Sequence, residues 1–203
     1  MNSPFVPVRQ VRAVFDHRNI VVYQAYSSSI ADPALAAGRF VPPFKVSRMT
    51  WIKPSFLWMM YRCGWASKPG QERVLAITIT REGFEWALAS SCLSYFDPAF
   101  YQTEQAWLGR KVASTVRVQW DPERSLKMAP LPYRAIQIGL GSEAVHRYVN
   151  DWTVRIDDVT PLARDIAHLV AANRLTDAND ALPSEQAYPL SAVLCNTIGI
   201  ATG

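Results

Sequence analysis

Short apolar runs, some alternating with polar residues and some continuous, are separated along this chain by Pro, Gly and Asx-rich breaks. That pattern predicts strands and helices interspersed rather than either alone. Gln10 to Phe15 and Ile20 to Tyr26 are rich in β-branched and aromatic residues and flank the turn-like Asp16-His17-Arg18-Asn19, so two strands are expected. In the second, Ile20, Val22, Gln24 and Tyr26 share one face, which sets a polar amide among apolar neighbours. The Ala-rich stretch Ile30 to Ala37 predicts a short helix stopped by Gly38. Beyond Val41-Pro42-Pro43, Ser47 to Lys53 reads as a strand, Ser55 as an N-cap, and Phe56 to Cys63 as a helix ending near Gly64 with Trp58, Tyr61/Arg62 and Trp65 on one stripe.

Arg73 to Thr80 alternates Leu75, Ile77 and Ile79 against Thr78 and Thr80, a half-buried strand. Phe84, Leu88, Ser91/Cys92 and Tyr95 give the next helix its face, and residues 96 to 114 form a poorly patterned excursion with some helix. Thr115 to Trp120 reads as a strand closed by Asp121-Pro122. Arg134 to Leu140 follows Pro130-Leu131-Pro132 as another strand, with Gln137 turned away from Ile136, Ile138 and Leu140. Ser142 then caps a helix to Tyr148, Trp152 to Ile156 forms a last short strand, and Thr160-Pro161 opens an amphipathic helix with Leu162, Ile166, Leu169 and Val170 inward. Past Leu190 there is no Lys, Arg, Asp or Glu. The expectation is an α+β domain over residues 1–190 with residues 191–203 a loosely attached tail.

A length of 203 residues suits one hydrophobic core. The composition, 49% hydrophobic and 19% charged, is globular, and with no run of about 18 apolar residues it predicts no membrane span. Met1-Asn2-Ser3-Pro4 carries no export signal, so a cytoplasmic location is expected. Cys63, Cys92 and Cys195 are odd in number and outside any zinc-like spacing, which reads as packed thiols rather than a disulfide framework or a metal site. Charge changes the picture more. Residues 1–75 carry ten Lys/Arg against Asp16, Asp32 and Glu72, a balance of +7, whereas residues 76–203 stand at −3. A positive N-terminal part favours an anionic partner, unless it is only a solvated basic face.

Phosphate-loop, dinucleotide-loop and zinc-protease motifs are absent, and His17, His146 and His168 have no mutual spacing that suggests ligation. Ser27-Ser28-Ser29 lacks the context of an activated serine. The informative stretch is Arg48 to Arg62, in which seven of fifteen residues are Trp, Met, Phe or Tyr and three more, Arg48, Lys53 and Arg62, are cationic. Aromatic faces stack a planar ring and cations meet phosphate. A strand-to-helix junction at Lys53 to Ser55 adds free backbone donors, a ready anion site. The competing reading is that Leu57, Met59 and Met60 are core and the cations lie around them.

Arg12-Ala13-Val14, Val22 to Tyr26, Met49-Thr50-Trp51-Ile52-Lys53-Pro54-Ser55-Phe56, Arg73 to Thr80 and Arg134 to Gly139 together resemble a bacterial family known as domain of unknown function 4291. More distantly, the order of elements is similar to that of ADP-ribosyltransferases, including the RNA 2′-phosphotransferase type. Gln24 would take the first-strand position, Ser55-Phe56-Leu57-Trp58 the Ser-x-x-aromatic step, and Gln137 the place of the late-strand catalytic Glu. This resemblance implies two mostly antiparallel sheets around an NAD cleft with flanking helices. It also implies transfer of ADP-ribose from NAD to a nucleic-acid or phosphorylated acceptor, with no metal. Gln24, Lys53 and Gln137 would be catalytic, and Arg12, Tyr23, Tyr26, Arg48, Trp51, Ser55, Trp58 and Arg134 would hold the dinucleotide. A Gln cannot act as a general base. Either a carboxylate such as Glu143 or Glu72 enters the site, or the nucleophile is already an anionic phosphate. Two other readings are a non-catalytic RNA- or DNA-binding module and an NAD-binding sensor that has lost catalysis.

Overall fold

The computed structural model describes residues 6–201; Met1 to Phe5, which include the segment read for an export signal, and Thr202 and Gly203 lie outside them. In chain order the strands are β1 (Arg12–Ala13), β2 (Asn19–Tyr26), β3 (Thr50–Ile52), β4 (Arg73–Thr80), β5 (Ser91–Leu93), β6 (Val116–Arg124), β7 (Pro130–Leu140), β8 (Thr153–Asp158) and β9 (Gln186–Ala187). The helices are α1 (Ser28–Ala37), α2 (Phe56–Cys63), α3 (Arg81–Ala89), α4 (Glu104–Ala113), α5 (Glu143–Arg147), α6 (Thr160–Ala171), α7 (Leu175–Asp180) and α8 (Ala192–Thr197), and a π-helical turn over Tyr148–Trp152 continues α5. The chain is therefore α+β, with mainly antiparallel sheets.

Three sheets form, in the orders β2-β4-β8, β3-β7-β6-β5 and β1-β9. Strand pairs are antiparallel except β5 with β6, which is parallel. The two larger sheets meet where Tyr23 and Lys53 exchange backbone bonds of 2.7 and 3.2 Å. The main core fills the space they enclose, with Ile20, Val22, Leu75, Ile77 and Ile79 from one sheet facing Ile52, Val116, Val118, Trp120, Ile136, Ile138 and Leu140 from the other. A second core lies on the other face of β2 and β4, where Tyr23, Val74 and Ala76 pack against Phe56, Met59, Met60 and Cys63 of α2 and Ala163 and Ile166 of α6. β4 is thus buried on both faces along much of its length, not on one.

Several boundaries differ from the sequence expectation for identifiable reasons. β6 and β7 run through Pro122, Pro130 and Pro132 because these sit at a register shift and at the hairpin end, where a missing N–H costs no ladder bond. Ser91 to Leu93, expected to continue a helix, pairs with Val116 to Val118 instead, and all three residues are buried. There tertiary pairing overrides helical periodicity. The Gln10–Phe15 strand shortens to Arg12–Ala13, paired with β9. The charge-free segment after Leu190, expected to hang loosely, is docked: Ile198 is fully buried, Trp120 Nε1 donates to the Ile198 carbonyl at 2.7 Å, and Arg9 Nη1 donates to the Gly199 carbonyl at 2.6 Å. Cys63, Cys92 and Cys195 are free thiols. Among the described residues no helix is long and apolar enough to cross a membrane.

Candidate functional site

β3 brings the informative segment against the edge of β7, with Trp51 opposite Gly139 in the antiparallel register. A Cβ on Gly139 would come within 2.9 Å of the Trp51 ring and 2.8 Å of the Met49 sulfur, so only glycine lets both lie this close to the strand. Thr50 and Ile52 turn inward, which places Trp51 and Lys53 on the opposite side. Pro54 then ends the strand, and Ser55 caps α2 by accepting from Trp58 N at 3.1 Å. Lys53 therefore stands at a fixed point, between the bridge to Tyr23 and the start of a capped helix.

Beside this junction opens a cavity of about 450 Å³, lined by Gln24, Tyr26, Phe44, Lys45, Arg48, Met49, Thr50, Trp51, Lys53, Met59, Arg62 and Gln71 among others. None of its lining residues is acidic. Lys45, Arg48 and Arg62 are exposed at the rim, whereas Lys53 is only 5% exposed. Among the described residues, none of these four cations takes part in an ion pair. Lys53 Nζ donates to the carbonyl of Trp51 at 3.2 Å. Burial brings its pKa down to about 8, the Arg62 charge pushes the same way, and Asp121 opposes them.

Gln24 lies on the core-facing side of β2, 3% exposed, with its amide fully engaged. Its Nε2 donates to Thr50 Oγ1 at 2.6 Å and to the Trp51 carbonyl at 3.3 Å, while its Oε1 accepts from the Tyr148 hydroxyl at 2.7 Å. The Tyr26 hydroxyl shares Thr50 Oγ1 at 3.1 Å, and burial raises the pKa of both Tyr26 and Tyr148. Gln24 is thus a pin between the two sheets that also forms part of the cavity wall.

Of the residues singled out in the sequence, Gln24, Tyr26, Arg48, Trp51 and Lys53 line this cavity; Arg12, Tyr23, Ser55, Trp58, Arg134 and Gln137 do not. Gln137 Nε2 donates to Asp121 Oδ2 at 2.6 Å, and Gln119 holds the other oxygen at 2.9 Å. Arg134 donates to the Trp120 carbonyl at 3.2 Å and borders a different hollow with Arg9, Asp97 and Gly199. Tyr23 packs edge-on against Phe56 at 5.4 Å, and burial raises its hydroxyl pKa. Trp58 stacks on Tyr61 at 5.2 Å, and the Arg124 guanidinium lies 3.6 Å from the centre of the Tyr61 ring.

Arg12 and Ser55 belong to a second polar group around the start of α2. Glu185 Oε1 accepts from Phe56 N at 2.6 Å, Arg12 donates to the Glu185 carbonyl at 3.1 Å, and buried Glu123 lies close by. Burial is the main cause that raises both carboxyl pKa values; the Glu123 charge adds to the rise at Glu185, and Arg12 opposes it at both. Of the carboxylates considered as substitutes for a catalytic Glu, Glu143 pairs with Arg147 on the surface, and Glu72 accepts from Gly70 N at 2.7 Å next to the cavity rim. Arg62 was legible only as a member of the Arg48 to Arg62 stretch, and Phe44 and Lys45 lie just before it. Glu185 had no local signal, because its partner Phe56 lies 129 positions away; Asp121 and Glu123 stand on β6 beside their partners Gln119 and Arg124 and were not singled out. Among the described residues no group of three or more His, Cys, Asp or Glu side chains could hold a metal ion.

No curated protein matches the chain. The model of a family described as a domain of unknown function (DUF4291) matches residues 10–188, and the chain belongs to that family.

Proposed function

We propose that the cavity beside β3 binds NAD and that the protein transfers ADP-ribose from it to a nucleic-acid or phosphorylated acceptor. The observation that carries this reading is the set of four cations, Lys45, Arg48, Lys53 and Arg62, gathered without a carboxylate around a hollow walled by Trp51, Phe44 and Tyr26. Cations without ion-pair partners among the described residues attract a pyrophosphate, and aromatic walls accept a planar ring. A cavity of this size belongs to the range of small-molecule sites.

In this reading Arg48 and Arg62 meet the pyrophosphate, Trp51 offers the ring a flat wall, and Lys53 stabilises the acceptor phosphate. In the transfer, the bond from the ribose anomeric carbon to nicotinamide breaks and its electron pair leaves with nicotinamide, while an acceptor phosphate oxygen bonds to that carbon. A phosphate nucleophile is already an anion, so the step needs no general base, consistent with the Gln at positions 24 and 137.

A second reading has its own support. The Gln24 amide is fully used within the fold and Gln137 is bonded to Asp121 away from the cavity, which favours a protein that binds NAD or nucleic acid without turning it over. Calorimetric titration with NAD and with a single-stranded RNA, alongside nicotinamide release with and without total RNA, separates the two. Transferase activity requires acceptor-dependent release that Arg48→Ala lowers by about 10-fold or more, the loss expected of one charge-assisted contact. NAD binding without release supports the sensor, RNA binding alone supports the nucleic-acid module, and no binding of either overturns the cavity assignment.

A further inference from the structure

We propose that Lys53 is a nucleophilic amine that captures a phosphorylated aldehyde or ketone as an imine. The inference uses the same cavity as the reading above but neither NAD nor glycosyl transfer, so either can fail alone.

Geometry carries it. Lys53 lines the cavity while being 5% exposed, held by the backbone bridge to Tyr23 on one side and by Pro54 and the Ser55 cap on the other. A buried ammonium is ordinarily matched by a carboxylate, since burying an unpaired charge is costly. Lys53 has no ion-pair partner among the described residues, and its Nζ has one acceptor, the Trp51 carbonyl at 3.2 Å. Such a site disfavours the charged form and keeps the amine lone pair available. The lowered pKa of about 8 agrees: near physiological pH a minority of Lys53 is neutral, far more than for a lysine with the ordinary value of 10.5. The three exposed cations at the mouth, Lys45, Arg48 and Arg62, add the means of holding a phosphate on the same small molecule.

The chemistry balances without any further reactant. The neutral amine attacks the carbonyl carbon, forming the Nζ–C bond as the C=O π pair moves to oxygen, and a proton passes from nitrogen to that oxygen to give a carbinolamine. The hydroxyl leaves as water after gaining a proton from solvent, and nitrogen returns its remaining proton to solvent. The net change is amine plus carbonyl to imine plus water.

The test uses pyridoxal 5′-phosphate, which combines an aldehyde, a ring and a phosphate, with pyridoxal as its phosphate-free counterpart. The intact protein is incubated with each, reduced with borohydride, and mapped by peptide mass spectrometry between pH 6.5 and 9. The expected result is one adduct per chain, on Lys53. It should form at least about 10-fold faster than adducts on exposed lysines such as Lys68 or Lys127, because only a desolvated amine is free near neutral pH. The rate should rise towards pH 8 and level off above it. Arg48→Ala should slow the phosphate form but not pyridoxal, and Lys53→Arg should abolish the adduct while keeping the melting temperature. Labelling spread over surface lysines in proportion to exposure, or an unmodified Lys53 in the folded wild-type protein, overturns the proposal without reference to any variant. A Lys53 adduct with no nicotinamide release upholds this inference while the transferase reading falls.

Discussion

Gln24 sits on a strand face otherwise filled by Ile20 and Val22, and the structure resolves that anomaly by making its amide the bond between the sheets. Removing it orphans groups that water cannot reach. Gln24→Leu keeps most of the side-chain volume but leaves the Tyr148 hydroxyl, fully enclosed, without its acceptor. Each buried polar group left unpaired costs about 1–3 kcal/mol, so the variant should lose at least that much in urea-unfolding free energy. A loss under about 0.5 kcal/mol would mean that Tyr148 and Thr50 satisfy each other another way, and that Gln24 is available to a ligand after all. The sequence shows at this position that a polar residue lies among apolar ones. It does not show the partner, because Tyr148 is 124 positions away and opens a π-helical turn that no periodicity announces.

Among the elements, α2 was the most legible, since its Ser55 cap, its length and its Gly64 stop are all local chemistry: Ser55 accepts from Trp58 N and Gly64 adopts φ 60°. Its second anchor was not legible. Glu185, just before β9, accepts from Phe56 N at 2.6 Å, so the short β1-β9 ribbon is tied to the helix that carries Arg62 and Met59 into the cavity wall. Burial, the dominant cause, and the neighbouring Glu123 raise the Glu185 carboxyl from 4.5 to about 8. Between those values the folded protein binds a proton that the unfolded chain has released, so this contribution to stability is complete below about 4.5 and is lost as pH rises through about 8. Glu185→Gln keeps an oxygen to accept from Phe56 N and cannot titrate. The wild-type melting temperature should therefore fall, relative to this variant, as buffers are stepped from pH 5 to 8.5. Parallel curves for the two proteins would show that Glu185 titrates like an exposed acid and that its hold on α2 is independent of pH. β5 illustrates the opposite limit: Ser91 to Leu93 continue a helical pattern, and only pairing with β6 makes them a strand.

Across the whole molecule, the positive N-terminal part read from sequence is divided by folding into compensated and uncompensated charge. Arg9 pairs with Asp97, and Arg73 with both Asp32 and Asp158, so those cations are neutralised within the fold. Lys45, Arg48, Lys53 and Arg62 gather at one cavity without ion-pair partners among the described residues. Sequence could locate the segment because aromatic and cationic residues are contiguous there, but not the boundary of the site. Arg12 and Arg134 look equivalent to Arg48 in the chain, yet they bond to the carbonyls of Glu185 and Trp120. If the three rim cations meet phosphates, binding of a single-stranded RNA or DNA oligonucleotide should weaken with salt at a logarithmic slope of about −2, or roughly 16-fold between 50 and 200 mM, since each neutralised phosphate contributes about −0.7. Arg48→Ala should lower the slope by about 0.7 as well as the affinity. Arg155→Ala is the control, because Arg155 stands on β8, exposed and paired with Asp157, so a purely global charge effect would make the two variants alike. Fluorescence anisotropy across the salt series reads both quantities at once. Equal losses for Arg48→Ala and Arg155→Ala would assign the binding to net charge, whereas a change of slope confined to Arg48→Ala would put phosphate at the mouth of the cavity above Lys53.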